Sequence, residues 1–223
     1  MTNFDEQRLN MVESQVRASD VTDLRIIRAM REVPRERFVP AEFVPIAYSD
    51  GPVPAALRAR RGEPRCLLPA RTFAKLVQLA EIDPRSTVLD VGCASGYSTA
   101  VLARLAKHVV ALEADRDLAR AAAAILAEIG CANTEVIEGA LAAGAASGSR
   151  FDAILLNGAV SDVPPALLEQ IADGGRLVGM LQQGPVCRAH IWRRSGKIVG
   201  RQRAFDGAAA PLPGFEAPAE FVL

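Results

Sequence analysis

From Ala70 onward the chain alternates apolar runs of strand character with amphipathic helical stretches, and this alternation limits the fold more than any single motif. The helical "ARTFAKLVQLAEI" leads to the run "VLDV", then to the helical "YSTAVLARLA" and the run "HVVALEAD". The helix "DLARAAAAILAEIG", closed by Gly130 in the position of a C′ glycine, is followed by "TEVIEG", "FDAILLNGA", the helical "VPPALLEQIADGG" and "GRLVGML". Strands separated by helices return to the same end of a sheet, so they run parallel and are covered on both faces. The expected class is therefore α/β, a mostly parallel sheet with helices on both sides. Two segments depart from the rule. "AHIWRRSGKIVGRQRAF" reads as two strands joined at Ser195-Gly196, an antiparallel addition at the sheet edge. "VTDLRIIRAMREV" sets Val21, Leu24, Ile26, Ile27 and Met30 on one helical face ahead of Pro34, an N-terminal helical extension.

At 223 residues the chain has room for one sizeable core. We expect a single domain, with 1–70 as helical arm and substrate-side loop, 71–180 as the core and 181–223 as edge hairpin and tail. Between Ala47 and Pro69 the breakers Gly51, Pro52, Pro54, Gly62 and Pro64 crowd with Arg58, Arg60, Arg61 and Arg65, the composition of a long functional loop. The competing reading of the arginines is a solvated loop. Lys plus Arg and Asp plus Glu both number 26, which leaves no positive field to collect nucleic acid or an anionic membrane. A small molecule or a neutral polypeptide is the expected partner, and a monomer or small homo-oligomer the expected state. "MTNFDEQRLNMVESQ" is polar and acidic where a secretory signal is basic and apolar, which points to the cytoplasm. Cys66, Cys93, Cys131 and Cys187 form no C-x-x-C pair, and His108 and His190 lie far apart, so neither a zinc site nor a disulfide framework is expected.

The stretch "VLDVGCASGYSTA" is a strand that breaks into a glycine loop and re-enters a helix. In open α/β sheets ligands bind beyond the carboxyl ends of the strands, and Gly92 and Gly96 let backbone come close there. A dinucleotide fingerprint needs glycine at 92, 94 and 97; Ala94 and Tyr97 break it, and no P-loop occurs. What remains is acidic-x-Gly-x-Gly-x-Gly with one change: Asp90, Gly92, Ala94, Gly96. This resembles the nucleotide loop of Rossmann-like S-adenosylmethionine-dependent methyltransferases. Glu113 ends the next strand, where a carboxylate can accept from both ribose hydroxyls. The competing readings are a ligand-free strand-to-helix turn for the loop and a solvated strand end for Glu113. The cofactor-side candidates are Asp90, Gly92, Ala94, Ser95, Gly96, Tyr97 and Glu113; Asp90 has a second reading, in which it serves the loop amides.

"AMREVPRERFVP", "AYSD" with "PVP", "VLDVGCASGYSTAVLARL" and "FDAILLNGA…VPPALLEQIADGGRLV" resemble, in that order, protein-L-isoaspartate O-methyltransferases. The resemblance runs from about Met11 to Val178. It implies a seven-stranded Rossmann-like sheet with extra N-terminal helices. The implied activity is esterification of an isoaspartyl α-carboxylate in a damaged protein or peptide, with S-adenosylmethionine as donor and S-adenosylhomocysteine as product. Three departures bear on the acceptor. Where the family carries Gly-Gln-Thr-Ile-Ser-Gln/Ala-Pro, this chain reads "GEPRCLLPA", so Arg65 stands for Thr and Leu67 for Ser. Where the family has Gly-Asp-Gly, whose Asp meets the adenine amino group, it has Gly139-Ala140-Leu141, which leaves that contact to Glu138 or backbone. Asn157-Gly158-Ala159 stands for Thr-Ala-Ala.

A carboxylate is ionised near pH 7, so its methylation needs no general base, and positioning can supply most of the rate. One lost neutral hydrogen bond costs about 0.5–1.5 kcal/mol in recognition. Arg65 and Asn157 are the acceptor-side candidates, Arg65 as a charge-assisted carboxylate clamp. Cys93 lacks a nearby His and is expected to be structural, and Trp192 is expected to pack. Two other functions stay open: a methyltransferase with a different acceptor, such as a small carboxylate, and a non-catalytic nucleotide-binding descendant.

Overall fold

The computed structural model describes residues 3–56, 65–184 and 186–215. Its frame is a seven-stranded sheet in the order β5-β4-β3-β6-β7-β8-β9, built from β3 (Thr87–Val91), β4 (His108–Glu113), β5 (Thr134–Glu138), β6 (Phe151–Val160), β7 (Ile171–Gln183), β8 (Val186–Ser195) and β9 (Ile198–Gly207). The first five pair in parallel; β8 and β9 join antiparallel to β7 through the turn at Ser195-Gly196. The mostly parallel α/β sheet is as the alternation implied, the antiparallel edge as the turn at Ser195-Gly196 implied, and the seven-stranded Rossmann-like frame as the resemblance implied. β1 (Val53–Pro54) and β2 (Cys66–Leu67) form a separate two-stranded ladder beside the sheet.

The helices are α1 (Phe4–Met11), α2 (Leu24–Glu32), α3 (Ala70–Ala80), α4 (Tyr97–Leu102), α5 (Arg116–Glu128) and α6 (Pro165–Glu169). β3 is buried on both faces because helices cover both, and Leu89 and Val91 face a different apolar cluster from Val88. α5 starts where the Asp115 carboxylate accepts from the amides of Asp117 and Leu118, and ends at Gly130 with φ of 74°. Among the described residues no helix is long and apolar enough to cross a membrane.

Two expectations need correction and one is extended. Leu24 does not face the core: it is the first helical residue after the Asp23 cap, is 71% exposed, and Ile26, Ile27, Ala29 and Met30 make the buried face. Within the expected 1–70 arm the structure adds α1, whose mostly polar residues carry no apolar stripe. The last helix is one short turn rather than the whole of "VPPALLEQIADGG", because Ile171 already pairs with Phe151 and commits the chain to β7.

Candidate functional site

The chain steps from β3 to β4 to β5 on one side, then crosses to β6 on the other, so the strand order reverses between β3 and β6. The crevice outside the carboxyl ends at such a reversal is where these sheets take ligands. Here it is floored by the loop Gly92–Gly96 and flanked by the ends of β4 and β6. Gly92, Ala94 and Gly96 all have positive φ, of 74°, 51° and 97°. At Gly96 an added Cβ would also lie 3.2 Å from the Ala122 Cβ. Ala94 keeps the left-handed conformation without being glycine, at a cost of ~1–2 kcal/mol, while its amide donates to Glu113 Oε2 at 2.7 Å.

Asp90 is completely buried. Its Oδ2 accepts from the hydroxyls of Ser98 (2.7 Å) and Thr99 (2.6 Å), and its Oδ1 from the Asn157 amide. It therefore serves two side chains of α4 and one of β6, not the loop amides. Burial raises its carboxyl pKa to about 6 against the opposing pull of these donors. Asn157, expected to face an acceptor, is 7% exposed and donates to Asp90 and to the Val91 carbonyl. Its role in this arrangement is to tie β6 to β3.

Glu113 is not a solvated strand end. It is fully buried, and each oxygen accepts two bonds. Oε1 takes the amides of Ala114 (2.9 Å) and Asp115 (3.2 Å); Oε2 takes the Ala94 amide and the Arg65 guanidinium (3.0 Å). The same Arg65 Nη2 donates to the Gly92 carbonyl at 2.8 Å. Arg65, expected in a substrate loop as a clamp for an acceptor, is thus turned inward onto the cofactor-side carboxylate. Its Nε is buried without a partner, an omission that costs ~1–3 kcal/mol. Arg58, Arg60 and Arg61 lie outside the described residues.

The tail closes the crevice from the other side. The Ala159 amide donates to the Ala210 carbonyl and the Leu212 amide to the Ala159 carbonyl, both at 2.8 Å, so Ala210–Leu212 runs as a strap on the end of β6. Ser161 Oγ donates to the Phe215 carbonyl and holds the strap further along. Leu212 is 2% exposed and fills the space over both glycines: a Cβ on Gly92 would lie 2.7 Å from its Cδ2, and one on Gly158 2.6 Å from its Cγ. No signal in "PLPGF" distinguishes it from an ordinary Pro/Gly tail, and sequence reasoning missed it.

Between Leu67, Leu68, Phe73, Gly92, Tyr97 and Asn157 there remains about 10 Å³ for the centre of a water-sized sphere, room for about one water. In this arrangement Arg65 stands on the Glu113 carboxylate and, with Leu212, over Gly92, so a ligand that uses these groups has to displace both side chains.

The remaining candidates support the loop from behind. Ser95 Oγ donates to the Phe38 carbonyl. Tyr97 points into the core, its ring 5.7 Å from that of Phe38 and 5.8 Å from that of Phe73, with the Arg35 guanidinium 4.5 Å from its centroid. Arg35 is a fully buried residue that the sequence reading left without a role: it donates to the carbonyls of Ala47 (2.8 Å) and Leu68 (2.9 Å) and so binds the arm to the segment carrying Leu67. Leu67 is itself buried in the β1–β2 ladder opposite Val53. Cys93 is buried, and burial together with the nearby Asp90 carboxyl pushes its thiol well above its usual range, the opposite of an activated nucleophile. Glu138 sits at the β5 end paired with Arg116 at 3.1 Å, beside Ala140. Trp192 packs in the core as expected, 4% exposed.

The model of the protein-L-isoaspartate(D-aspartate) O-methyltransferase family matches residues 6–203. The chain belongs to this family. A protein-L-isoaspartate O-methyltransferase of Koribacter versatilis is 35% identical over 214 residues, 96% of this chain and 94% of that one. One from Methanoregula boonei is 38% identical over 209 residues, 94% of each. Two solved structures, each 20% identical, share the fold. A protein-L-isoaspartate O-methyltransferase superposes with a TM-score of 0.81 over 94% of this chain and 66% of that one. A Plasmodium falciparum protein described as a putative member, in complex with S-adenosyl-L-homocysteine, gives 0.74 over 94% and 98%.

Proposed function

We propose that this chain is an S-adenosylmethionine-dependent O-methyltransferase that esterifies a carboxylate, with the isoaspartyl α-carboxylate of a protein or peptide as the principal acceptor. One observation carries the reading. In a member of this family, at the reversal of strand order, the glycine loop and the carboxylate at the end of β4 are held 2.7 Å apart through the Ala94 amide. The cofactor-side residues divide by role. Gly92, Ala94 and Glu113 line the crevice, whereas Gly96 packs against α5 and Asp90, Ser95 and Tyr97 fix the loop from β3, the arm and the core. The acceptor side is apolar at Leu67, so its contribution is shape and exclusion of water rather than a hydroxyl hydrogen bond. The carboxylate is already the nucleophile at pH 7, which is consistent with the absence of a general base among Leu67, Tyr97 and Asn157.

The test is transfer of labelled methyl from S-adenosylmethionine to an isoaspartyl peptide and to its aspartyl twin. Transfer to the isoaspartyl peptide alone is expected. Transfer to neither, from protein that binds S-adenosylhomocysteine, would overturn the isoaspartyl reading in favour of a different acceptor or of a nucleotide-binding descendant.

A further inference from the structure

One residue that departs from the family pattern, Arg65, is also the one seated on the carboxylate that the cofactor would need. Arg65 brings a cation and two hydrogen bonds to Glu113 Oε2 and the Gly92 carbonyl. Any ligand using the loop and the β4 end must displace the guanidinium from both acceptors. S-adenosylmethionine offers similar chemistry, since it carries cationic groups and ribose hydroxyl donors. The two therefore compete for one set of acceptors.

We propose that Arg65 is an internal competitor for the cofactor, held in place by the Ala210–Phe215 strap, so that the protein rests in a self-occluded state. The proposal rests on the reading of the cofactor given above. Two independent features of the chain act together. The guanidinium covers Glu113 from the β2 side, and the Leu212 side chain covers Gly92 and Gly158 from the tail side. Both come within 3 Å of the same point, the Cβ position of Gly92: Leu212 Cδ2 at 2.7 Å and Arg65 Nη2 at 2.9 Å. Neither side chain can stay where it is once that space is filled, so opening moves both.

Glu113 keeps three backbone N–H donors when Arg65 leaves. The strap's attachments include two hydrogen bonds at Ala159 and one from Ser161, and its Leu212 and Phe215 are buried in an apolar cluster, so opening exposes them. A protein competent to bind in only a fraction of its molecules has its apparent affinity reduced by that fraction. Whatever steadies Arg65 on Glu113 then lowers affinity for the cofactor, and whatever draws Arg65 away raises it. An anionic acceptor approaching the crevice mouth is one such group. Cofactor and acceptor binding would then be coupled with positive sign.

The experiment is calorimetric titration of S-adenosylhomocysteine into the full chain, into Arg65→Ala and into Leu212→Ala. Arg65→Ala is expected to bind on the order of tenfold more tightly than the unmodified protein, and Leu212→Ala to shift in the same direction. Leu212→Ala leaves the ion pair intact, so it tests the proposal even if loss of the guanidinium impairs folding. Amide exchange on the unmodified protein gives a separate readout: the Leu212 and Ala159 amides should exchange faster with S-adenosylhomocysteine bound. If all three proteins bind with equal affinity, or Arg65→Ala binds more weakly, Arg65 is not a competitor while the cofactor reading stands. If none of the three binds, the cofactor reading itself falls, and this proposal with it.

Discussion

Asp90→Asn should change the way stability depends on pH, not only its level. Asp90 is fully buried, and burial is the largest influence on its carboxyl, lifting it from the ordinary 3.8 to about 6 although the hydroxyls of Thr99 and Ser98 and the amide of Asn157 pull it down. Between about pH 4 and pH 6 the folded protein therefore keeps a proton that the unfolded chain has released. Stability from this group is fully present below the unfolded value and is lost as pH rises through the folded one. The gap of about two pH units, at ~1.36 kcal/mol each, makes the loss about 3 kcal/mol. Asparagine does not titrate. Its Oδ1 can still accept from the Asn157 amide, but its Nδ2 replaces the oxygen that accepts from the Ser98 and Thr99 hydroxyls, a cost of about 1–3 kcal/mol that does not vary with pH. Urea unfolding of both proteins at intervals from pH 4 to pH 7 separates the two effects. The wild-type stability minus that of the variant should fall by about 3 kcal/mol across the window and then level off. Parallel curves would refute the account of a carboxyl held up by burial.

Glu113→Ala leaves the Arg65 guanidinium buried without its carboxylate and three amides without their acceptor, so it should lower stability by about 3–5 kcal/mol; a loss under 1 kcal/mol in chemical denaturation would show the pair to be unimportant. Gly96→Ala combines a φ of 97° with a 3.2 Å approach to the Ala122 Cβ, whereas Gly130→Ala has a φ of 74° and open space. Both should destabilise by about 1–2 kcal/mol from the backbone, and Gly96→Ala measurably more; equal losses would refute the packing argument. Cys93, buried with its thiol pushed well up, should resist modification by a disulfide reagent in the native protein and react only on unfolding. Rapid labelling of Cys93 in folded protein, located by peptide mass, would contradict its placement.

Local chemistry carried most of the architecture. The apolar runs "VLDV" and "FDAILL" became β3 and β6 because strands covered on both faces need continuous apolar residues. Asp115 and Gly130 marked α5 through the termini they satisfy. Where the reading failed, a contact distant in sequence decided. Leu24 belongs to the apolar pattern but lies outside it in space, since the first turn of α2 faces solvent. Ile171 belongs to a helical pattern but pairs with Phe151 instead. α1 lacks a stripe to announce it.

The crevice divides in the same way. The glycine loop, Asp90 and Glu113 were legible because close backbone approach and a strand-end carboxylate leave marks in the residue types themselves. The identity of the groups meeting them was not. Asp90 is joined to Asn157, 67 positions on, and Glu113 to Arg65, 48 positions back. Leu212 reaches Gly92 from the opposite end of the chain. By itself the sequence determined a parallel α/β sheet with a ligand crevice beyond the carboxyl ends of its strands, because periodicity and turn chemistry act over a few residues. Only the tertiary structure decided that the crevice is filled by the chain's own guanidinium and leucine. A hydrogen bond or a van der Waals contact depends on distance in space, and nothing in the residues flanking Arg65 or Leu212 encodes where the other lies.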